Sequence, residues 1–303
     1  TPEILYSDKL DEIIVSGFMQ RDDNYQIKIF DGRDLTIKGS IEAHQQPIHR
    51  IVLLPDELVA TVSADNSVKI WRLVGQAMVH EFKLKYEPLD LCVNPTLMAA
   101  VIVGKSSVIS CYSIKTGTFV GEISTTVSDG YSFCVFLDDK NALVASLANS
   151  NLVNVIDCKS SSVLSTLDGG KERTATVGLQ IVGLAQVAVG YDKGINIWDL
   201  SDPTAPKKNF EFVNPVTHIS HFCIIPEEDV FILAEKSPVL QFFRYSTQTL
   251  LKSMVTRLQK CYGITHAKSR DRILVVDSTE GAVEIFERKA RVNKSACQSC
   301  GIF

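Results

Sequence analysis

No charge of one sign dominates this chain. Of its 303 residues, 31 are Lys or Arg and 35 are Asp or Glu, a net charge of −4 at pH 7. Such a balance sets up no long-range field for nucleic acid, and none is expected as a partner. No apolar run reaches the ~18–20 residues that carry a helix across a bilayer. No secretory signal stands at the N-terminus. The first residue is Thr1, so the chain reads as a fragment or processed form whose upstream signals would be unseen.

Paired cysteines are also missing over most of the length. Cys92, Cys111, Cys134, Cys158, Cys223 and Cys261 stand singly, mostly on apolar strand faces. They read as buried free thiols in a reducing compartment. The expected location is cytoplasmic, with the nucleus left open. Catalytic constellations are absent too. No Ser/His/Asp set accompanies a nucleophile elbow. Val103-Gly104-Lys105-Ser106-Ser107 echoes the end of a phosphate-binding loop, but Ala99 holds the first glycine's place and no helix follows. His218 and His221 are three apart on a strand, hence on opposite faces, and should not share a metal ion. The chain is not expected to be an enzyme.

What is present is a cadence. Leu58, Ala60 and Val62 alternate with their neighbours, as do Val68 and Ile70, and Ala64-Asp65-Asn66 separates the two runs. Period-two alternation marks a half-buried strand, and Asp and Asn favour the turn because their side chains bond nearby backbone. The same strand recurs seven times, ending at Phe30, Trp71, Tyr112, Ile156, Trp198, Phe243 and Phe286. Four strands repeated at about 40–45 residues is the spacing of propeller blades. The repeats cover roughly 3–41, 43–83, 86–124, 129–168, 174–213, 215–255 and a seventh starting near Cys261. In the fifth repeat Ser201-Asp202-Pro203-Thr204-Ala205-Pro206 lengthens a connection; prolines cannot join a ladder, so this is a surface loop. Three strands are clear in the seventh repeat.

With these residues in view, the chain resembles the WD-repeat β-propeller family. Trp198-Asp199 is the family's dipeptide, and Trp71-Arg72 and Phe30-Asp31 are degenerate forms of it. Asp65 lies six before Trp71 and Asp192 six before Trp198, where the family places its turn aspartate. Ala43-His44 stands at its Gly-His. The resemblance implies that His44, Ser63, Asp65 and Trp71 form the family's structural hydrogen-bond tetrad, complete in the second repeat alone. It also implies an all-β fold, a single seven-bladed propeller of four-stranded blades, over residues 1–289. Two subfamily marks are missing: Trp-Asp-x-Arg of ubiquitin-ligase receptors, and the paired arginines of phosphoinositide binders.

Residues 290–303 form a tail that begins within the basic run Arg288 to Lys294. Cys297-Gln298-Ser299-Cys300 has the spacing of half a tetrahedral zinc site. Its alternative reading is the opening of a RING-type or FYVE-type zinc finger, which makes zinc the one cofactor to expect, and none for the propeller. The first functional reading is a non-catalytic scaffold or adaptor that binds a protein or peptide through loops, as part of a larger chain or complex. The face carrying the turns between second and third strands should present Arg21, Asn66, Lys105, Asn151, Tyr191, Lys193 and Lys236. Tyr191 is expected to stand at the rim as an aromatic anchor.

Overall fold

In a computed structural model the chain is a closed ring of antiparallel sheets. The structure describes residues 3–17, 24–214, 218–235, 237–277 and 283–287. Six sheets have four strands in sequence order, and the last has three described strands, Cys261–Ala267, Arg272–Asp277 and Val283–Glu287. The blades occupy 4–44, 48–83, 88–124, 131–168, 176–213, 219–255 and 261–287. The seven-bladed propeller expected from the repeat period is therefore the observed fold. No described helix is long and apolar enough to cross a membrane.

Each blade forms because its alternation buries one set of side chains on each side. Blade two shows how: Leu58–Ser63 and Ser67–Arg72 pair in register, Ala60 opposite Ile70 and Val62 opposite Val68. All four residues are wholly buried against Leu91, Ala100 and Ile102 of blade three. At roughly 1.5–3 kcal/mol for each fully buried Val, Leu or Ile, such layers carry most of the driving force. The core is thus seven layers between neighbouring blades, not one central mass. The last of them, with Ile4, Ile13 and Val15 against Leu274 and Val276, closes the ring. Polar contacts reinforce that seam: Arg270 bonds Asp11, Arg272 donates to the Gly32 carbonyl, and the Ser269 N–H donates to Asp8 at 3.0 Å.

Tight turns join the strands. Asn141, Asp229 and Asp271 follow equivalent 3-10 turns between first and second strands, each at positive φ of 47–56°. Asn and Asp accept this left-handed conformation better than other side-bearing residues. The first strand of every blade lines the centre. The six described cysteines are free, as expected. Burial pushes the Cys223 thiol up to about 12, so it stays protonated and inert.

Candidate functional site

The antiparallel order puts two kinds of turn at each end of the ring. At one end, turns between second and third strands lie beside the loops that link blades. Backbone bonds tie the two together: Leu84 N to Asn66 O at 2.9 Å, Lys105 N to Glu87 O at 3.0 Å, and Asn214 N to Lys193 O at 2.9 Å. Asn66, Lys105, Asn151 and Lys193 all sit in this turn set. The first two and Lys193 are exposed, whereas Asn151 is half-buried and donates to Gly170 O at 2.9 Å. Glu87 receives both Lys105 (2.6 Å) and His49 (2.9 Å). Arg21, Lys236, Cys297 and Cys300 lie outside the described residues.

Tyr191 is not at the rim. Its exposure is 0 %, and its ring packs with Val187 and Val189 in the layer between blades four and five. Those residues share its parity along the strand Gln186–Tyr191, so the two-residue period itself directs the ring inward. Burial raises the pKa of its hydroxyl.

The tetrad expected in blade two forms, with one member replaced. Trp71 Nε1 donates to Thr61 Oγ1 at 2.9 Å, not to Ser63. Thr61 meets His44 Nε2 at 2.7 Å, and His44 Nδ1 meets Asp65 Oδ2 at 2.8 Å. Ser63 is turned to the backbone instead, donating to Gln46 O at 3.2 Å and accepting from Asp65 N at 3.3 Å. Both hydroxyls lie on one face of the strand. Thr61 serves because it pairs with Lys69, the same distance along the ladder that the indole reaches. Burial lowers the His44 pKa and keeps the ring neutral. Asp65 is half-buried, which opposes its ionisation, but bonds from His44 and Ser67 hold it far below the carboxylate range.

Blade five carries the other Trp and a different clasp. Arg173, in the polar loop before the blade, is buried. Its guanidinium donates to Gly169 O (2.8 Å), Asn196 Oδ1 (2.7 Å) and Phe212 O (3.2 Å), and lies 5.0 Å from the Tyr191 ring centre. Arg173 holds the place of His44 and was not foreseen. A charged residue in a glycine-rich loop reads as solvated unless its acceptors are known.

The ring's centre brings together a set that the sequence leaves scattered. The residues after the bulge in each first strand are equivalent: Arg50 opposite Val62, Asp90 opposite Val103, Phe133 opposite Ser146, Gly178 opposite Gly190, His221 opposite Ala234 and Gly263 opposite Val276. Glu3 takes this place in blade one, its carbonyl receiving Ser16 N at 3.0 Å. Arg50 donates to both Glu3 oxygens at 3.0 and 3.1 Å and lies 3.1 Å from Asp90. Asp90 also accepts from Leu91 N (2.8 Å) and Cys134 N (2.9 Å). Gln180 joins blades five and six through both the N–H and the carbonyl of Ile224. Protein surrounds Arg50, yet 33 % of its side chain stays open because it faces the lumen.

Burial raises the pKa of Glu3 and of Asp90, and Arg50 opposes the rise. His221 is pushed down to about 4 by burial and then by the Arg50 charge, and its Nδ1 has no hydrogen-bond partner. A cavity of about 350 Å³ runs from Glu3 and Arg50 past His221 to Glu227 and His266. His218, by contrast, is exposed, so the two histidines do face apart. His266, at the outer end of this cavity, also stands with Glu228 and Asp271, and the three bring one ligand atom each within 4.8 Å of the others. The site as a whole can grip and orient; its buried ionisable groups hold blades to one another.

The family model described as "Nucleolar protein 10-like, N-terminal domain" matches residues 22–267. Among curated proteins, Pre-mRNA-processing factor 19 of Oryza sativa subsp. japonica is 25 % identical over 195 residues, 62 % of this chain and 36 % of that protein. Pre-mRNA-processing factor 19 homolog 2 of Arabidopsis thaliana is 22 % identical over 181 residues, 57 % of this chain and 34 % of that protein. The chain spans about a third of the length of these relatives. The repeat pattern, the observed ring and the span of the match agree, and the chain belongs to the Nucleolar protein 10-like N-terminal domain family of WD-repeat-type β-propellers.

Proposed function

We propose that the chain is a non-catalytic interaction module that binds a protein or peptide partner through the face carrying Asn66, Lys105 and Lys193. One observation carries this reading. These three polar side chains stand exposed in three different blades, on turns whose backbones are bonded to the adjoining loops. A rigid frame that offers separated side chains suits binding a partner. The blade-two tetrad, in contrast, turns its polar groups inward on one another. The family's nucleolar name favours the nucleolus over the cytoplasm. A fluorescent fusion of the chain should concentrate in nucleoli; a purely cytoplasmic signal would refute that placement.

The test of the face is a double charge reversal, Lys105→Glu with Lys193→Glu. Circular dichroism should be unchanged, while quantitative mass spectrometry of nuclear-extract captures should show partners reduced roughly tenfold, as for loss of an interface hot spot. An identical partner profile would remove this face from the function. Zinc at Cys297 and Cys300 rests on spacing alone; metal analysis of the chain beside Cys297→Ser/Cys300→Ser, giving the same zinc content, would end that reading.

A further inference from the structure

Two neighbouring seams of the ring use the same three positions for different chemistry. Between blades seven and one, Arg270 ends the turn Lys268–Arg270 and bonds Asp11, which also accepts from the Tyr6 hydroxyl. Between blades six and seven, Glu228 ends the turn Pro226–Glu228, and its Oε1 lies 3.8 Å from His266 Nε2. The positions correspond one for one. Tyr6 pairs with Ile13 and His266 with Ile273, each the second residue of a second strand, and Asp11 and Asp271 each precede that strand. One seam thus sets a guanidinium against a carboxylate. The other sets two carboxylates and an imidazole together.

His266 departs from the pattern of its place. The matching residues of blades two, three, four and six are Leu53, Val93, Phe136 and Ile224, all apolar. Its side chain is only 12 % exposed. Beside it a cavity of about 390 Å³ is walled by Val230, Phe242, Met254, Ile273 and Phe286. Such walls screen a charge less than water does. Lys268 is already held by Glu227 at 2.9 Å. Lys252 lines the cavity from the exposed outer strand Leu250–Val255, and its ammonium, on a flexible stem, is the competitor that an incoming ion displaces.

We propose that Glu228, His266 and Asp271 bind a zinc ion that clamps blade six to blade seven. One ligand atom from each already lies within 4.8 Å of the others. Tetrahedral zinc, about 2.0–2.2 Å from each donor, holds its donors about 3.4 Å apart. The 3.8 Å between His266 and Glu228 is too long for a hydrogen bond and close to that spacing. Rotation of the exposed Asp271 side chain closes the rest. An imidazole beside two carboxylates selects zinc over magnesium and calcium, which take oxygen donors. Three protein ligands leave the fourth position to water. The inference goes beyond the binding face and does not use the cysteines of the tail.

Isothermal titration calorimetry with zinc chloride tests it, on the Cys297→Ser/Cys300→Ser chain freed of metal by a chelator. One equivalent should bind, and excess magnesium should not displace it. His266→Leu in that background supplies the residue type that blade two carries there. It should stay folded by circular dichroism and weaken zinc binding roughly tenfold or more. Glu228→Gln, nearly isosteric, should do the same, and it decides if His266→Leu is unfolded. Zinc should raise the melting temperature of the parent chain and not that of a folded ligand variant. Cobalt in place of zinc should show visible d–d bands without a thiolate charge-transfer band. A thiolate band would assign the metal to the remaining cysteines and overturn the proposal. So would the lack of a bound equivalent, or zinc affinity unchanged in a folded His266→Leu or Glu228→Gln chain.

Discussion

Blades two and five each hold a tryptophan at the end of the third strand, and each solves its environment differently. In blade two the Trp71 N–H meets Thr61, and the chain of bonds runs on through His44 to Asp65. In blade five Val189 holds the place of Thr61: it pairs with Asn196, two before Trp198, as Thr61 pairs with Lys69, two before Trp71. Trp198 Nε1 and the Tyr191 hydroxyl are close enough for the indole to favour charge on the phenol oxygen, but neither makes a hydrogen bond of ordinary geometry. The clasp passes instead to Arg173, which bonds two carbonyls and Asn196. One architecture thus tolerates two chemistries, provided that a side chain from the segment just before the blade reaches it and finds partners. A full tetrad is one solution, and its absence from a repeat does not mean an unfastened blade.

The largest effect expected is at Arg173. Arg173→Met keeps much of the side-chain length and removes every donor, so buried acceptors lose their partners. The cost should be about 3–5 kcal/mol, read from urea unfolding midpoints. A cost near zero would break the equivalence with His44. Next, Thr61→Val gives blade two the blade-five residue and leaves Trp71 without its acceptor, for about 1–3 kcal/mol in the same measurement.

Acid should separate the two blades further. The folded pKa of His44 is lowered, so its contribution is present above about 6.5 and fades as pH falls below that value. The folded pKa of Asp65 is also lowered, so its contribution is lost at still lower pH. The hydrogen-bond acceptors of Arg173 are two backbone carbonyls and one amide oxygen, all neutral. Hydrogen exchange, corrected for intrinsic rates, should therefore open blade two before blade five on acidification; simultaneous opening would contradict the contrast. The smallest effect is the reciprocal change. Val189→Thr offers Trp198 an acceptor and should raise stability by about 1 kcal/mol, seen as a higher melting temperature. A fall instead would show that the pocket around Trp198 has no room for a hydroxyl partner.

Much of the fold was legible because its causes are local. Period-two alternation, turn residues and a 41–45-residue recurrence each depend on neighbours along the chain. They placed seven blades and the three described strands of the last. They also held enough to place Tyr191 inward, since Val187 and Val189 share its parity. Its expected exposure gave a turn aspartate more weight than the alternation. Ser63 and Thr61 could not be separated in that way. Both lie on one strand face, and the choice was made by how far the Trp71 ring reaches across the ladder.

The sequence by itself determined the blades, their number and one candidate clasp. Only the tertiary structure decided which polar residues are buried and to what end. A buried charge persists where partners from separate segments converge on it, and that convergence is made when strands and blades pack against one another. Glu3, Arg50 and Asp90 come from three blades, and Arg173 needs acceptors from its own loop and two strands of blade five. No local pattern encodes such meetings, because the desolvation that they offset exists only once the blades have packed.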